Sequence, residues 1–152
     1  MCIRDRPTTT TTTQPKPTSY VSVQVFFLNA TNELTAVQRF VVTPAPLSAV
    51  LGALLEGPSS SDPQGTGTAI PSTVKVLSVS TQAGIVTVNM NAAFGAITGN
   101  SIEEAVGQIV ATVVADVGPT TGVLFEIDGQ RTSVPIANGS QVSGPVYLIE
   151  FL

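Results

Sequence analysis

The sequence predicts an α+β fold: a mostly antiparallel sheet with two helices packed on one face, in the order ββα-ββα-ββ. Three observations carry this. Short runs with alternating apolar residues recur in pairs. Two intervening segments place apolar residues three and four apart. Gly- and Asn-containing turns separate the runs. The chain has 152 residues, 43% of them hydrophobic and 11% charged, which suits one buried core and a tail.

In residues 20–28, Val21, Val23, Val25 and Phe27 alternate with Ser22, Gln24 and Phe26, the period of a strand. Residues 29–32 supply a polar turn. Leu34, Ala36, Gln38, Phe40 and Val42 then alternate with Thr35, Val37, Arg39 and Val41, and the two runs make a hairpin. In "TPAPLSAVLGALLEGP", Thr43 can cap a helix and Pro44 suits its first turn. Leu47, Val50, Leu51, Leu54 and Leu55 form its apolar stripe. Gly57 can take the left-handed conformation that ends it, and Pro58 blocks continuation.

Residues 74–81 and 85–91 form the second strand pair, joined at Gln82-Ala83-Gly84. Val74 and Val76 are in phase but Leu77 and Val79 have switched, which requires a doubly buried strand or a bulge near Lys75–Leu77. The second helix starts at Ser101, which with Glu104 spells a capping box. Val106, Ile109, Val110, Val113, Val114 and Val117 keep the helical spacing. Residues 107, 108, 111, 112, 115 and 116 are small or polar, so the period favours helix over the strand preference of valine. Residues 122–127 read as a strand, Asp128-Gly129 and Asn138-Gly139 as tight turns, and Pro135 as a strand end or edge. Residues 146–152 read as a last strand, or as the start of something cut off.

Residues 1–19 read as a Thr/Pro-rich disordered tail or linker, with six consecutive threonines from Thr8 to Thr13 followed by Pro15 and Pro17. The opening string "MCIRDR" resembles translated sequencing-adaptor read-through, so residues 1–6 are either non-native or a native start. In the former case any export signal would be missing. Residues 20–152 read as a single domain.

Composition excludes several classes. The net charge is −4 and the charges are scattered, so nothing offers a nucleic-acid backbone a basic face. No apolar run approaches the ~20 residues of a membrane-spanning helix. The chain has no histidine, and its one cysteine is Cys2, which removes Ser-His-Asp and Cys-His catalysis and the usual zinc sites. No cofactor, metal ligand set or catalytic residue is expected.

The surface candidates are Thr68, Pro71, Glu126 and Asp128. Thr68 and Pro71 belong to "GTGTAIPS", residues 65–72, which looks like a phosphate cradle. Such a cradle needs a lysine and a helix directly after the glycines. Here Pro71 and a strand follow, so the stretch reads as a loop entering a sheet, with Ala69 and Ile70 packed on the first helix. Glu126 and Asp128 share one face of a strand. They could serve as an acid–base pair or bind a divalent cation, and the competing reading is a solvated hairpin end.

The pieces "VQVFFLNA", "VQRFV", "LLEGP", "TAIPSTVKVLSVSTQAGIVTVNMNAAF", "SIEEAVGQIVATV" and "VLFEIDGQ" occur in an order and spacing that resemble the GerMN domain family, the sporulation-and-germination module of GerM and LpqB-type lipoproteins. The resemblance spans residues 21–136. It departs from the family at "AIPSTVK", where a Pro-Gly-Thr-like turn is usual. It implies an exported, envelope-associated, non-enzymatic module of a bacterial cell surface. Its partners would be envelope proteins or copies of itself. The alternative is a domain that binds a small ligand or peptidoglycan fragment.

Overall fold

The computed structural model describes residues 19–31, 33–43, 46–58, 62, 64–118, 121–136 and 140–148. The elements are β1 (Tyr20–Leu28), β2 (Leu34–Val42), α1 (Leu47–Leu55), β3 (Val76–Gln82), β4 (Ile85–Met90), α2 (Ala92–Gly95), α3 (Asn100–Val117), β5 (Gly122–Ile127), β6 (Gln130–Arg131), β7 (Val134–Pro135) and β8 (Gln141–Val142). The tail reading, Pro44, the Asn138-Gly139 turn and residues 149–152 lie outside the described residues.

The fold is α+β, with strands that pair antiparallel except at one place. β1 and β2 form a hairpin in full register, Tyr20 opposite Val42 and Leu28 opposite Leu34. β3, β4, β5 and β6 form a second sheet in that order, and β7 pairs with β8. The exception is β4 with β5, which run parallel because the chain returns between them through α3. Parallel neighbours require such a crossover, and a turn cannot supply it.

The phase change in the third strand is a bulge. Val76 faces Met90 and Ser78 faces Asn89, so Leu77 is the extra residue and turns outward. Ala83-Gly84 and Asp128-Gly129 are both turns with positive φ at the two central residues, the twist that suits adjoining strands. Gly57 follows α1 at φ 85°, as its position in the sequence predicts.

The helix starts differ from the sequence reading. α1 begins at Leu47 with Pro46 as its N-cap, and no side chain caps it. The Thr43 hydroxyl and N–H both donate to the Ser19 carbonyl, closing the hairpin mouth, so Thr43 is not free to cap. α3 begins at Asn100 behind Gly99, whose φ of 69° sets the start. Ser101 therefore lies within the first turn, and the predicted capping box does not form. A third helix, the single turn α2, buries Phe94, which stacks on Phe125 at 5.7 Å between ring centroids.

Val23, Val25 and Phe27 of β1, Val50, Leu51 and Leu54 of α1, Val86, Val88 and Met90 of β4, and Val106, Val110, Val113 and Val114 of α3 form one core, while Val117, on the same predicted stripe, is exposed. α3 packs against β1, α1, β5 and β7. Residues 105–114 are buried without a break, so the small-or-polar set at 107, 108, 111 and 112 is no solvated face. It is a second packing face, and what it packs against defines the first candidate site.

Candidate functional site

Gln108 and Thr112 stand one turn apart on α3, both 0% exposed. Their polar atoms face the outer edge of β1. The Gln108 side-chain amide donates to the Phe26 carbonyl at 3.0 Å and to the Thr68 hydroxyl at 3.0 Å. Its Oε1 accepts from the Ala69 N–H at 2.8 Å. Thr112 Oγ1 accepts from the Phe26 N–H at 3.1 Å and donates to the Gln108 carbonyl at 2.8 Å. One buried glutamine thus ties a helix, a strand edge and the Gly65–Pro71 loop together.

The same contacts tie "GTGTAIPS" into the fold. Leu28 and Gly67 exchange both backbone hydrogen bonds, at 2.8 and 2.7 Å. The Ile70 N–H donates to the Thr68 hydroxyl at 3.2 Å. The N–H groups of Gly67, Ala69 and Ile70 are therefore spent within the fold, and no converging set of donors faces an anion. Gly65 is needed for another reason: at φ 91° it passes Ala30 so closely that a Cβ would sit 3.0 Å from that side chain. Ile70 enters the core, as expected, but the loop is tied to α3 as well. Pro71 is exposed, and its carbonyl accepts from Val74 N–H at 3.1 Å.

Glu126 and Asp128 are not brought together with a third acidic group: among the described residues no cluster of three or more metal-ligating side chains occurs. Glu126 lies opposite Arg131 in the β5–β6 pair. Asp128 is exposed at the hairpin tip, with its N–H on the Met90 carbonyl at 2.9 Å. Beside this hairpin a half-open cavity of about 220 Å³ is lined by Phe94, Ile97, Ile102, Ile127, Thr132 and Val134, among others.

Sequence reasoning missed a further pairing. Arg39 turns inward from β2 and grips Asp62 with two hydrogen bonds, 2.8 and 2.6 Å, with Asp62 only 4% exposed. The guanidinium also lies 5.2 Å from the Phe27 ring centroid, a cation–π contact. Hydrogen bonding to Asp62 raises the Arg39 pKa above its ordinary value, against the opposing effect of burial. The only signal in the sequence was a lone arginine at an inward strand position.

The second surface of interest is the outer edge of β2. Phe26 and Leu28 point their backbone groups away from β2, toward α3 and Gly67. The register then fixes the odd-numbered residues of β2 as bonded to β1, and turns the N–H and C=O groups of Ala36, Gln38, Phe40 and Val42 outward. Among the described residues, those of Ala36, Phe40 and Val42 meet no hydrogen-bond partner, and the Gln38 carbonyl accepts only from the neighbouring Arg39. Phe40 is 68% exposed, Tyr20 61% and Val42 50%. Beneath this edge a cleft of about 300 Å³ separates residues 39–42 from Ala49, Gly52 and Ala53 of α1.

Comparison with known proteins gives a consistent picture. The tandem GerMN domains of the sporulation protein GerM from Bacillus subtilis superpose with a TM-score of 0.65 at 20% identity, over 84% of this chain and 45% of that one. The chain thus spans about half of that two-domain structure. The first GerMN domain of the same protein gives 0.62 at 18% identity, over 84% of this chain and 97% of the domain. A Clostridium perfringens protein named as a lipoprotein gives 0.52 at 17% identity, over 84% and 87%. A comparison with curated proteins finds no match. The profile of the Germane family, described as sporulation and spore germination, matches residues 24–133. That match covers most of the chain, from within β1 through β6, and the chain belongs to this family.

Proposed function

We propose that this sporulation- and germination-type domain works without catalysis, as an envelope-associated module for protein–protein interaction or assembly. The observation that carries the reading is the contrast in how polar groups are used. The donors and acceptors around Gln108 serve the fold, whereas the outward groups of Ala36, Phe40 and Val42 in β2 and the exposed side chains of Tyr20, Phe40 and Val42 are open to another chain. Strand edges of this kind are recognised by strand addition, with main-chain hydrogen bonds giving affinity and alternate side chains giving selectivity. The lipoprotein and sporulation protein among the similar structures support an extracytoplasmic, envelope-associated setting.

The alternative, a binder of peptidoglycan fragments or another small ligand, has one favourable observation: the half-open cavity beside α2 and the β5–β6 hairpin. The experiment that separates the two uses the full chain as bait in a bacterial envelope extract, beside a Phe40→Lys/Val42→Lys variant. Retention of envelope proteins by the parent and not by the variant is expected. Saturable binding of peptidoglycan fragments, perturbing Ile97, Ile102 and Thr132 in NMR spectra, with no protein retained by either bait, would replace the interaction reading.

A further inference from the structure

We infer that the Arg39–Asp62 pair guards the outer edge of β2: it closes the centre of that edge to an added strand and leaves the Phe40–Val42 end open. The inference goes beyond the interaction-module reading, because it says what the edge refuses, whatever partner the open end takes. Gln38 sits in the middle of Leu34–Val42, and its carbonyl points outward. Arg39 Nη1 donates to that carbonyl at 3.1 Å and to Asp62 Oδ1 at 2.8 Å. An added strand would bring its own backbone N–H to the same oxygen, at about 2.9 Å. A carbonyl has a second lone pair, so the obstacle is the guanidinium itself and not the spent bond. That group does not swing aside freely. Two bonds hold it on Asp62, which is 4% exposed, and it lies 5.2 Å from the Phe27 ring centroid.

The other long edges of the molecule point the same way. An unpaired strand edge is a template for unwanted pairing, and proteins blunt it by cover, by a bulge or by a charge turned inward. The outer edge of β1 is covered by Gln108, Thr112 and Gly67. The outer edge of β3 is broken by the bulge at Leu77. β2 has neither device. Its register with β1 is unbroken over nine residues, and the outward groups of Ala36, Phe40 and Val42 meet no partner among the described residues. Its one charged residue, Arg39, supplies the inward charge, placed where it divides the edge. Ala36 is left on one side of the clasp, Phe40 and Val42 on the other. Either end can bond a short segment. Neither can join the continuous ladder that edge-to-edge pairing needs.

Sedimentation equilibrium on the full chain, from micromolar to millimolar concentration, tests the guard. The parent chain is expected to be monomeric. Arg39→Met frees the Gln38 carbonyl and clears the space beside it, so self-association should strengthen by about tenfold or more. Arg39→Met combined with Asp62→Asn leaves no unpaired buried carboxylate, and gives the same readout in a less strained chain. Gln38→Pro, added to either, removes the outward N–H at the centre of the edge and should return the chain to monomer. Ile109→Ala, a core truncation on α3, controls for lost stability and should not associate. Circular dichroism checks that each variant is folded at the assay temperature. The guard is overturned if the folded Arg39 variants associate no more than the parent, if Gln38→Pro does not reverse the association, or if Ile109→Ala associates as strongly. A parent chain that dimerises, and loses the dimer on Gln38→Pro, overturns it as well. Capture of envelope proteins through Phe40 and Val42 is read separately on the parent chain. Its absence ends the interaction reading and leaves the guard standing. Unchanged association with capture intact ends the guard and leaves the interaction reading.

Discussion

Along the outer edge of β1, the backbone of Phe26 is bonded on both its N–H and its C=O by Thr112 and Gln108, and Leu28 is bonded twice by Gly67. Along the outer edge of β2, in the same hairpin, Ala36, Phe40 and Val42 have no such partners among the described residues. The two strands have equal length and similar apolar content. Their different fates come from elsewhere in the chain: a helix and a loop, 39 to 86 residues away, bond the outer edge of β1 and not that of β2. A buried polar group without a partner costs roughly 1–3 kcal/mol, so an edge brought against a helix has to be matched group by group. An edge left in water does not.

The largest expected effect comes from unsealing β1. Gln108→Leu keeps the volume but leaves the half-buried Phe26 carbonyl and Ala69 N–H without their partner. A loss of about 3–5 kcal/mol is expected from these two unpaired groups together with the lost bond to Thr68. Urea unfolding at neutral pH measures it. A loss below about 1 kcal/mol would mean that water or a shifted neighbour replaces the amide.

Gln108 also marks the limit of what the sequence discloses. Strands β1 to β5, the α1 stripe and the turn at Asp128-Gly129 are written in local period and turn chemistry and lie close to where the pattern puts them, with β3 starting two residues later than its pattern; of the two readings of the phase change near Leu77, the structure has the bulge. A glutamine and a threonine one turn apart on a helix look the same whether they face water or a strand edge. Only the long-range approach of β1 decides, and no local pattern encodes it. Arg39 and Asp62 are similar: each is unremarkable alone, and they meet across 23 residues of chain. The capping box failed for the opposite reason. Its spacing was correct, but the positive φ of Gly99 started the helix earlier. The Thr68–Pro71 stretch was legible as a loop, while its anchor on Gln108 was not.

The next effect belongs to β2. Arg39→Met removes the charge that balances Asp62, whose carboxylate is 4% exposed. Breaking a buried pair on one side costs about 3–5 kcal/mol, and the 17% exposure of Arg39 places this one toward about 2–4. The same substitution also frees the Gln38 carbonyl, which accepts from Arg39 Nη1 at 3.1 Å. Thr112→Val follows, near-isosteric, and removes both bonds of the hydroxyl. It leaves the Phe26 N–H unpaired for an expected loss of about 1–2 kcal/mol. Thermal unfolding of Thr112→Val and Gln108→Leu, singly and combined, should show losses that do not add, since both act on the backbone of Phe26.

The smallest effect has the opposite sign and asks where the sensitivity of α3 ends. Asp116 continues the row of Gln108 and Thr112 by one more turn, into the exposed last turn of the helix. Partial burial raises its carboxyl pKa above the ordinary carboxylate value. Its position near the helix C-terminus, where unpaired carbonyls disfavour an anion, acts in the same direction. With the folded pKa raised, the native state holds this proton to higher pH than the unfolded chain does. The native state is thus favoured at low pH, and that advantage is lost as pH rises from the unfolded value through the folded one. At neutral pH the full penalty is present. Asp116→Asn removes the charge and should raise Tm slightly at pH 7. The gap should close as pH falls below the ordinary aspartate range, about 4. A Tm that falls at pH 7 would mean that the carboxylate accepts a hydrogen bond that matters, and that the row sealing β1 extends one turn further than Thr112.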